Sequence, residues 1–167
     1  MKVLGIDPGY GRCGMAIVSR DGTTDTLIES LCVETSSTAD FPTRLSQILT
    51  ECSRLLDNHA PDAVAIEKLF FSKSRTTAMR VAEVRGALIG CAGNRGTPVF
   101  EYSPAEVKSA TTGFGGADKR QIAAMLRMTM KIEKDIRLDD EFDAIAIAVT
   151  HLSMVRMNSL AGQSALQ

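Results

Sequence analysis

One short segment near the start, KVLGIDPG at residues 2–9, determines the architecture. Its apolar residues run almost without interruption, which is typical of a buried strand, and the sequence Asp-Pro-Gly predicts a turn at its end. A second apolar run, Cys13–Val18, leads to Asp21-Gly22, a strong hairpin signal. A third strand is expected at Thr26–Val33. The opening third of the chain therefore predicts a three-stranded antiparallel meander.

The remainder of the chain alternates between helical and extended patterns. Apolar residues recur at helical spacing over 41–56 behind the predicted cap Asp40. Residues 62–67 predict a central strand parallel to the first one, and 97–102 predict a fifth strand. Further helices are expected at about 73–93, after the capping box at 103–106, after Asp118, and at about 139–157. The predicted fold class is α/β: a mixed five-stranded sheet, three antiparallel strands plus two parallel ones, flanked by helices.

The composition indicates one globular domain. The chain has 167 residues, of which 44% are hydrophobic and 23% are charged, and this length fits a single core. We expect one domain at 1–157 and a disordered tail at 158–167. No apolar run is long enough for a membrane span and the start does not resemble a signal peptide, so a cytoplasmic protein without a membrane partner is expected. Four scattered cysteines without a C-x-x-C pair disfavour zinc fingers and disulfide frameworks.

The charge is unevenly distributed along the chain. The net charge is −1, but the segment from Lys68 to Lys131 holds eleven basic residues and only four acidic ones. Such a division is typical of a protein that binds phosphates with one region and metal ions with another. Basic helix faces in contact with solvent explain the imbalance equally well.

Four carboxylates are expected to meet at one edge of the sheet. Asp7 ends the first strand and Glu67 ends the fourth, and ligands of open α/β sheets bind at the carboxyl edge of parallel strands. Asp140 and Asp143 are three residues apart at the start of the last helix, so they share a helix face. Apolar residues beyond them predict that this helix packs on the sheet, which brings both acids to the same edge.

The type of residue in this cluster indicates a metal site. Converging carboxylates raise one another's pKa unless a cation joins them. Oxygen ligands without sulfur suit Mg²⁺ or Mn²⁺, and two such ions activate a water and stabilise the leaving oxygen in phosphodiester hydrolysis. Each acid alone also has a structural explanation, as a turn former, a strand end or a partner of the helix dipole. The occurrence of all of them in this order favours the metal site.

Three blocks of this sequence resemble a known family. GIDPG at 5–9, AIEKLF at 65–70 and DEFDAIAIAVTH at 140–151 are similar to the acidic blocks of bacterial RuvC, the Holliday junction resolvases, and the similarity extends over about 2–152. It implies a ribonuclease H-like fold and a homodimer that nicks two opposed strands of a four-way DNA junction. It also implies Mg²⁺ as cofactor, with Mn²⁺ as a substitute and two ions per subunit, and the RuvA–RuvB branch-migration complex as partner.

The resemblance assigns roles to individual residues. The positions that match the family's catalytic metal ligands are Asp7, Glu67, Asp140 and Asp143. Phe70 matches an aromatic residue that stacks at the junction centre, a use that suits an exposed ring beside unpaired bases, although core packing also explains it. The full set of expected DNA-binding residues is Phe70, Phe71, Lys73, Arg75, Lys108 and Lys119. Arg80 and Arg85 fit phosphate contacts and solvated helix positions equally well.

Some features leave alternatives open. Ser74 stands where family members often carry Asn, which leaves the preferred cleavage sequence undetermined, and Asp139 adds a second carboxylate beside Asp140. A ribonuclease H or a 3′–5′ exonuclease shares the expected metal chemistry. An actin-like ATPase is disfavoured because such proteins need two domains of this kind. A junction-binding protein that has lost its chemistry is disfavoured because all four acids are present.

Overall fold

The computed structural model describes residues 1–69 and 75–164, with side-chain surroundings for 1–69 and 76–157. Within these residues the chain forms six strands and five helices. In chain order they are β1 (Lys2–Asp7), β2 (Arg12–Asp21), β3 (Thr24–Glu34), α1 (Phe41–His59), β4 (Ala63–Glu67), α2 (Arg75–Gly93), β5 (Val99–Tyr102), α3 (Pro104–Thr112), α4 (Lys119–Thr129), β6 (Met130–Lys131) and α5 (Asp139–Ser164).

The strands form one mixed sheet in the order β5-β4-β1-β2-β3-β6. Antiparallel pairing joins β1, β2 and β3, whereas β4 is parallel to β1 and β5 is parallel to β4. The predicted α/β class, the meander and the two parallel strands are thus confirmed. The predicted strand count was one too low, since β6 adds two residues beside the start of β3. Helix α5 runs to Ser164 instead of ending at residue 157.

Each face of the sheet carries its own core. Side chains alternate between the faces along a strand. Large residues such as Leu4, Ile6 and Ile17 face α1 and α2, whereas the opposite face carries smaller residues that pack against α5. Residues 144–148 of α5 are almost completely buried, as expected for a helix that is apolar on most sides because it lies in the interior.

Two glycines allow α5 to lie directly on the strands. A Cβ atom at Gly5 would be 2.8 Å from the backbone nitrogen of Ala148, and one at Gly14 would overlap the backbone carbonyl of Asp140. Gly14 pairs with Asp7 in the β1–β2 ladder. The close approach at Gly14 therefore places the first turn of α5 beside the end of β1.

Side-chain caps set where the smaller helices begin. The Asp118 carboxylate accepts a hydrogen bond from the backbone N–H of Gln121, whose side chain accepts one from the N–H of Asp118. Ser103 and Glu106 form the equivalent capping box at the start of α3, and Asp40 caps α1 as predicted. Such caps satisfy N–H groups that a helix leaves unpaired. None of the described helices is long and apolar enough to cross a membrane.

Candidate active site

Two neighbouring strands end in carboxylates. Ile6 of β1 is in register with Ile66 of β4 in a parallel pair, so Asp7 and Glu67 follow at the same edge of the sheet. Alternation along β1 puts Asp7 on the same face as Val3, which packs in the core under α5. The expected meeting of these two acids at one edge is confirmed by the strand register.

Helix α5 brings the other acids to this edge. A cavity of about 350 Å³ opens there. Its lining residues are Asp7, Glu67, Pro104, Val107, Lys108, Lys119, Ile122, Asp143 and Ile147. Asp140 does not line the cavity, but it is close enough for its charge to act on Asp7. The lining of the cavity thus combines acidic and apolar side chains with two lysines.

The lysines of the cavity do not offset the burial and mutual repulsion of its acids. Burial raises the pKa of Asp7 to about 7, and the negative charges of Glu67, Asp143 and Asp140 add to the increase, while Lys119 opposes it. Burial also raises the pKa of Glu67, and Asp143 contributes in the same direction against Lys119 and Lys108. Desolvation and like charges both disfavour the ionised carboxylate. A divalent cation would relieve both effects.

Two basic side chains already hold part of the acidic cluster. Lys119 Nζ donates to Asp139 Oδ2 at 2.8 Å and to Asp143 Oδ2 at 2.7 Å. Arg12 Nη1 lies 3.3 Å from Asp140 Oδ2 and 3.9 Å from Asp139 Oδ1. Asp139 therefore stands between two cations, each of which is also paired with a neighbouring acid of α5.

The pKa values of these groups follow from their partners. The hydrogen bond from Lys119 lowers the pKa of Asp139 below its usual range. Burial raises the pKa of Asp140, and the Arg12 charge only partly offsets it. Burial lowers the pKa of Lys119, but the hydrogen bonds to Asp139 and Asp143 outweigh this effect and raise it. Of the adjacent acids Asp139 and Asp140, the protein itself therefore stabilises the charge of Asp139 better.

The donor set fits a hard divalent cation. Oxygen ligands from carboxylates are those that Mg²⁺ and Mn²⁺ prefer. Asp140 Oδ2 is buried and makes no hydrogen bond within the described part of the chain, and such an atom is stabilised when a cation binds it. Among the same residues, no three His, Cys, Asp or Glu side chains already stand at the spacing of a metal cage. Arg12 and Lys119 instead occupy positions beside the acids of α5.

The expected DNA-binding residues divide into two groups. Lys108 and Lys119 line the cavity. Phe70, Phe71 and Lys73 lie outside the described residues, as does Ser74. Arg75 is the first residue of α2, and its side chain is likewise outside the described part. The lysines are thus placed beside the acids, and the predictions for the aromatic residues stay predictions.

Arg85 has a structural role that its sequence pattern does not reveal. Its Nε donates to the backbone carbonyl of Glu67 at 3.1 Å, and its Nη2 pairs with Glu101 Oε1 at 2.7 Å. The side chain is only 16% exposed. Arg85 is therefore neither a phosphate contact nor a solvated residue. It holds the end of β4 next to β5.

Glu141 also serves the site indirectly. It is buried, accepts a hydrogen bond from Ser30 Oγ at 2.6 Å and forms an ion pair with Lys134. These contacts tie the first turn of α5 to β3, on the side away from the cavity. No periodic pattern distinguishes this acid from its neighbours, so the sequence alone did not identify its role.

The fold and the site together define a class of protein. A mixed sheet with helices on both faces, and carboxylates at the carboxyl edge of two parallel central strands, is the ribonuclease H-like arrangement. The family model described as "Crossover junction endodeoxyribonuclease RuvC" matches residues 3–151. The chain belongs to the RuvC family.

Individual relatives agree with this assignment. The crossover junction endodeoxyribonuclease RuvC of Brevibacillus brevis is 40% identical over 151 residues, which cover 90% of this chain and 91% of the relative. That of Petrotoga mobilis is 39% identical over 97% of this chain and 99% of its own length. A solved structure of Thermus thermophilus RuvC in complex with Holliday junction substrate superposes with a TM-score of 0.88, at 33% identity, over 95% of this chain and 96% of that one.

Proposed function

We propose that this protein is a structure-selective endodeoxyribonuclease that resolves four-way (Holliday) DNA junctions in recombination and repair. It cuts two opposed strands by paired, symmetric nicks. One observation supports this most directly: in a chain that belongs to the RuvC family over nearly its whole length, Asp7, Glu67 and Asp143 share one cavity with Lys108 and Lys119. Acidic groups for a metal and basic groups for a phosphate are what phosphodiester hydrolysis needs side by side.

We assign metal ligation and catalysis to Asp7, Glu67, Asp140 and Asp143. The cofactor is Mg²⁺, with Mn²⁺ as a substitute, and two ions bind per subunit. Divalent ions in such a site activate a water for attack and stabilise the leaving oxygen. The protein positions the carboxylates through the strand ends and the first turn of α5. The raised pKa of Asp7 supports this assignment, because bound cations would offset the negative charges that contribute to it.

The lysines of the cavity act on the DNA. The Lys119 ammonium lies 2.7 Å from Asp143 Oδ2, so a scissile phosphate bound next to Asp143 is within its reach. Lys108, on α3, also lines the cavity and supplies a second positive charge. Positive groups at these positions attract the phosphate backbone and orient the strand that is to be cut.

The segment that follows β4 recognises the junction. Phe70, three residues after Glu67, stacks on unpaired bases at the junction centre, with Phe71 beside it. Lys73 and Arg75 contact backbone phosphates. Aromatic rings that stack on bases discriminate a branch point from a continuous duplex because only the branch point offers unstacked bases.

The reaction needs two copies of the chain. Symmetric cuts in opposed strands require two sites related by a two-fold axis, which a homodimer supplies. We assign residues 1–157 to the nuclease domain, from which α5 continues to Ser164. The enzyme works in the cytoplasm and receives its junctions from the RuvA–RuvB branch-migration complex.

A cleavage assay tests the proposal. A labelled four-way junction and a linear duplex of the same sequence are incubated with the protein in Mg²⁺ and in EDTA. Paired nicks in the junction alone, abolished by EDTA, are expected. Equal cutting of both DNAs would indicate a nuclease with another substrate, such as a ribonuclease H or an exonuclease, and junction binding without cutting in Mg²⁺ would contradict the assigned chemistry.

A further inference from the structure

Arg12 lies beside Asp139 and Asp140 of α5, although the proposed reaction gives it no role. It is the first residue of β2, and Gly14, two positions later, pairs with Asp7 of β1. Residues two apart on a strand share a face, as do residues directly opposite in an antiparallel pair. The Arg12 side chain therefore leaves the sheet on the same face as the Asp7 carboxylate.

Five side chains form a continuous series of alternating charges at this edge. In spatial order they are Asp140, Arg12, Asp139, Lys119 and Asp143, and we call them the charge series. The two acids at its ends are among the four to which metal ligation is assigned. Asp139, in the middle, contacts both cations, with Oδ1 toward Arg12 and Oδ2 toward Lys119.

The geometry points to Arg12 as a positioning residue that acts through Asp140: its guanidinium occupies the neighbourhood of this carboxylate while no divalent cation is bound, and it weakens the binding of such a cation there. This inference rests on the proposed function, because metal ligation by Asp140 is part of that proposal. It makes Arg12 a determinant of the metal concentration at which the enzyme becomes active.

The contact between Arg12 and Asp140 is suited to exchange. Arg12 Nη1 is 3.3 Å from Asp140 Oδ2, yet this oxygen has no hydrogen bond among the described residues. The interaction is therefore a charge contact without the directional geometry of a bidentate pair. The Arg12 side chain is 48% exposed, so it can turn into water when a cation reaches the carboxylate.

The sign of the effect follows from Coulomb's law. A fixed positive charge next to a cation site repels the incoming ion, and the repulsion is reduced where water reaches the charges. Replacing Arg12 by a neutral residue removes this repulsion and leaves all the carboxylates in place. For a partly exposed charge we expect the affinity for a divalent cation to increase about three- to five-fold.

A Mn²⁺ titration without DNA tests the inference. Binding is followed by the loss of the electron paramagnetic resonance signal of free Mn²⁺. Arg12→Gln is expected to lower the midpoint about three- to five-fold, and Arg12→Lys, which keeps the charge, is expected to retain the wild-type midpoint. Arg95→Gln is the matched control, since Arg95 forms an ion pair with Asp57 near the end of α2, away from the acids.

The outcomes separate this inference from the proposed function. If wild type binds Mn²⁺ and Arg12→Gln binds it with equal or lower affinity, the positioning role is wrong and the proposed function stands. An Asp140→Asn variant that binds Mn²⁺ as wild type does would also overturn the role of Arg12, since Asp140 would then hold no cation. Wild type that binds no Mn²⁺ would overturn the proposed metal chemistry together with this inference.

Discussion

Replacing Asp7 by Asn is expected to stabilise the metal-free protein while removing its activity. The pKa of Asp7 is raised from 3.8 to about 7, first by burial and then by the charges of neighbouring acids, Glu67 foremost. A carboxyl with a higher pKa in the folded protein than in the unfolded chain lowers stability once the unfolded chain has released its proton. The cost grows as the pH rises through about 4 and is complete above about 7.

The size of the effect follows from the two pKa values. The rise from 3.8 to about 7 corresponds to about 4 kcal/mol at about 1.4 kcal/mol per pH unit. The amide of Asn is still a polar group at a mostly buried position, and its incomplete hydrogen bonding offsets about 1–3 kcal/mol. The expected net gain for Asp7→Asn is about 2 kcal/mol at pH 8, or about 4–8 °C in Tm for a chain of this length.

Thermal unfolding in EDTA measures this gain. At pH 8 Asp7→Asn is expected to melt above wild type, and at pH 4.5 the gain should disappear, because the folded wild type then keeps its Asp7 proton. Asp21→Asn, at the exposed last residue of β2, serves as the control and should change Tm little at either pH. A variant that is no more stable than wild type at pH 8, or equally stabilised at both pH values, would refute the electrostatic reasoning.

Three other substitutions test separate parts of the account. Gly14→Ala should destabilise the protein by about 1–3 kcal/mol in urea unfolding and reduce cleavage, because its Cβ would overlap the carbonyl of Asp140 and displace α5. Glu141→Ala should cost about 1–3 kcal/mol in the same assay, since the buried Ser30 hydroxyl loses its acceptor. Phe70→Ala should reduce junction cleavage about tenfold or more while duplex binding stays near normal, if the ring stacks on bases.

Each of these has a matched control and a contradicting result. Gly86→Ala, in α2, places its Cβ where, among the described residues, nothing beyond the adjoining backbone of its own helix lies within 4 Å, so a loss of stability equal to that of Gly14→Ala would contradict the close-packing argument. Glu133→Ala removes an exposed acid. If it lowered the free energy of unfolding as much as Glu141→Ala, the loss of the buried contact between Glu141 and Ser30 would not explain the effect. Phe70→Tyr keeps the ring, and normal cleavage by Phe70→Ala would exclude the stacking role.

The sheet could be predicted to a large extent because its signals are local. Apolar runs at β1 and β4 indicated buried parallel strands, and Asp21-Gly22 indicated the turn between β2 and β3. β6 had no such signal, since it consists of Met130 and Lys131 and is defined only by its pairing with Asp25 and Thr26. A two-residue strand depends on a tertiary contact that no periodic pattern encodes.

The site was predictable where residues stand at the ends of elements. Asp7 and Glu67 were placed by strand direction alone, and the register confirms their proximity. The contacts of Asp139 were not predictable, because they depend on how closely α4 approaches α5, which brings Lys119 to it. Arg12 carried one usable signal that was missed: alternation along β2 puts it on the face of Asp7.

The carboxylates at this edge are proposed to cut junction DNA with a divalent metal. The most direct test measures binding and cleavage of one labelled four-way junction by wild type and Asp143→Asn, with Mg²⁺ present. Both proteins are expected to bind the junction, and only wild type is expected to introduce paired nicks. Cleavage by Asp143→Asn at the wild-type rate would contradict the proposal, because the acid that shares the cavity with Asp7 and Glu67 would then take no part in the reaction.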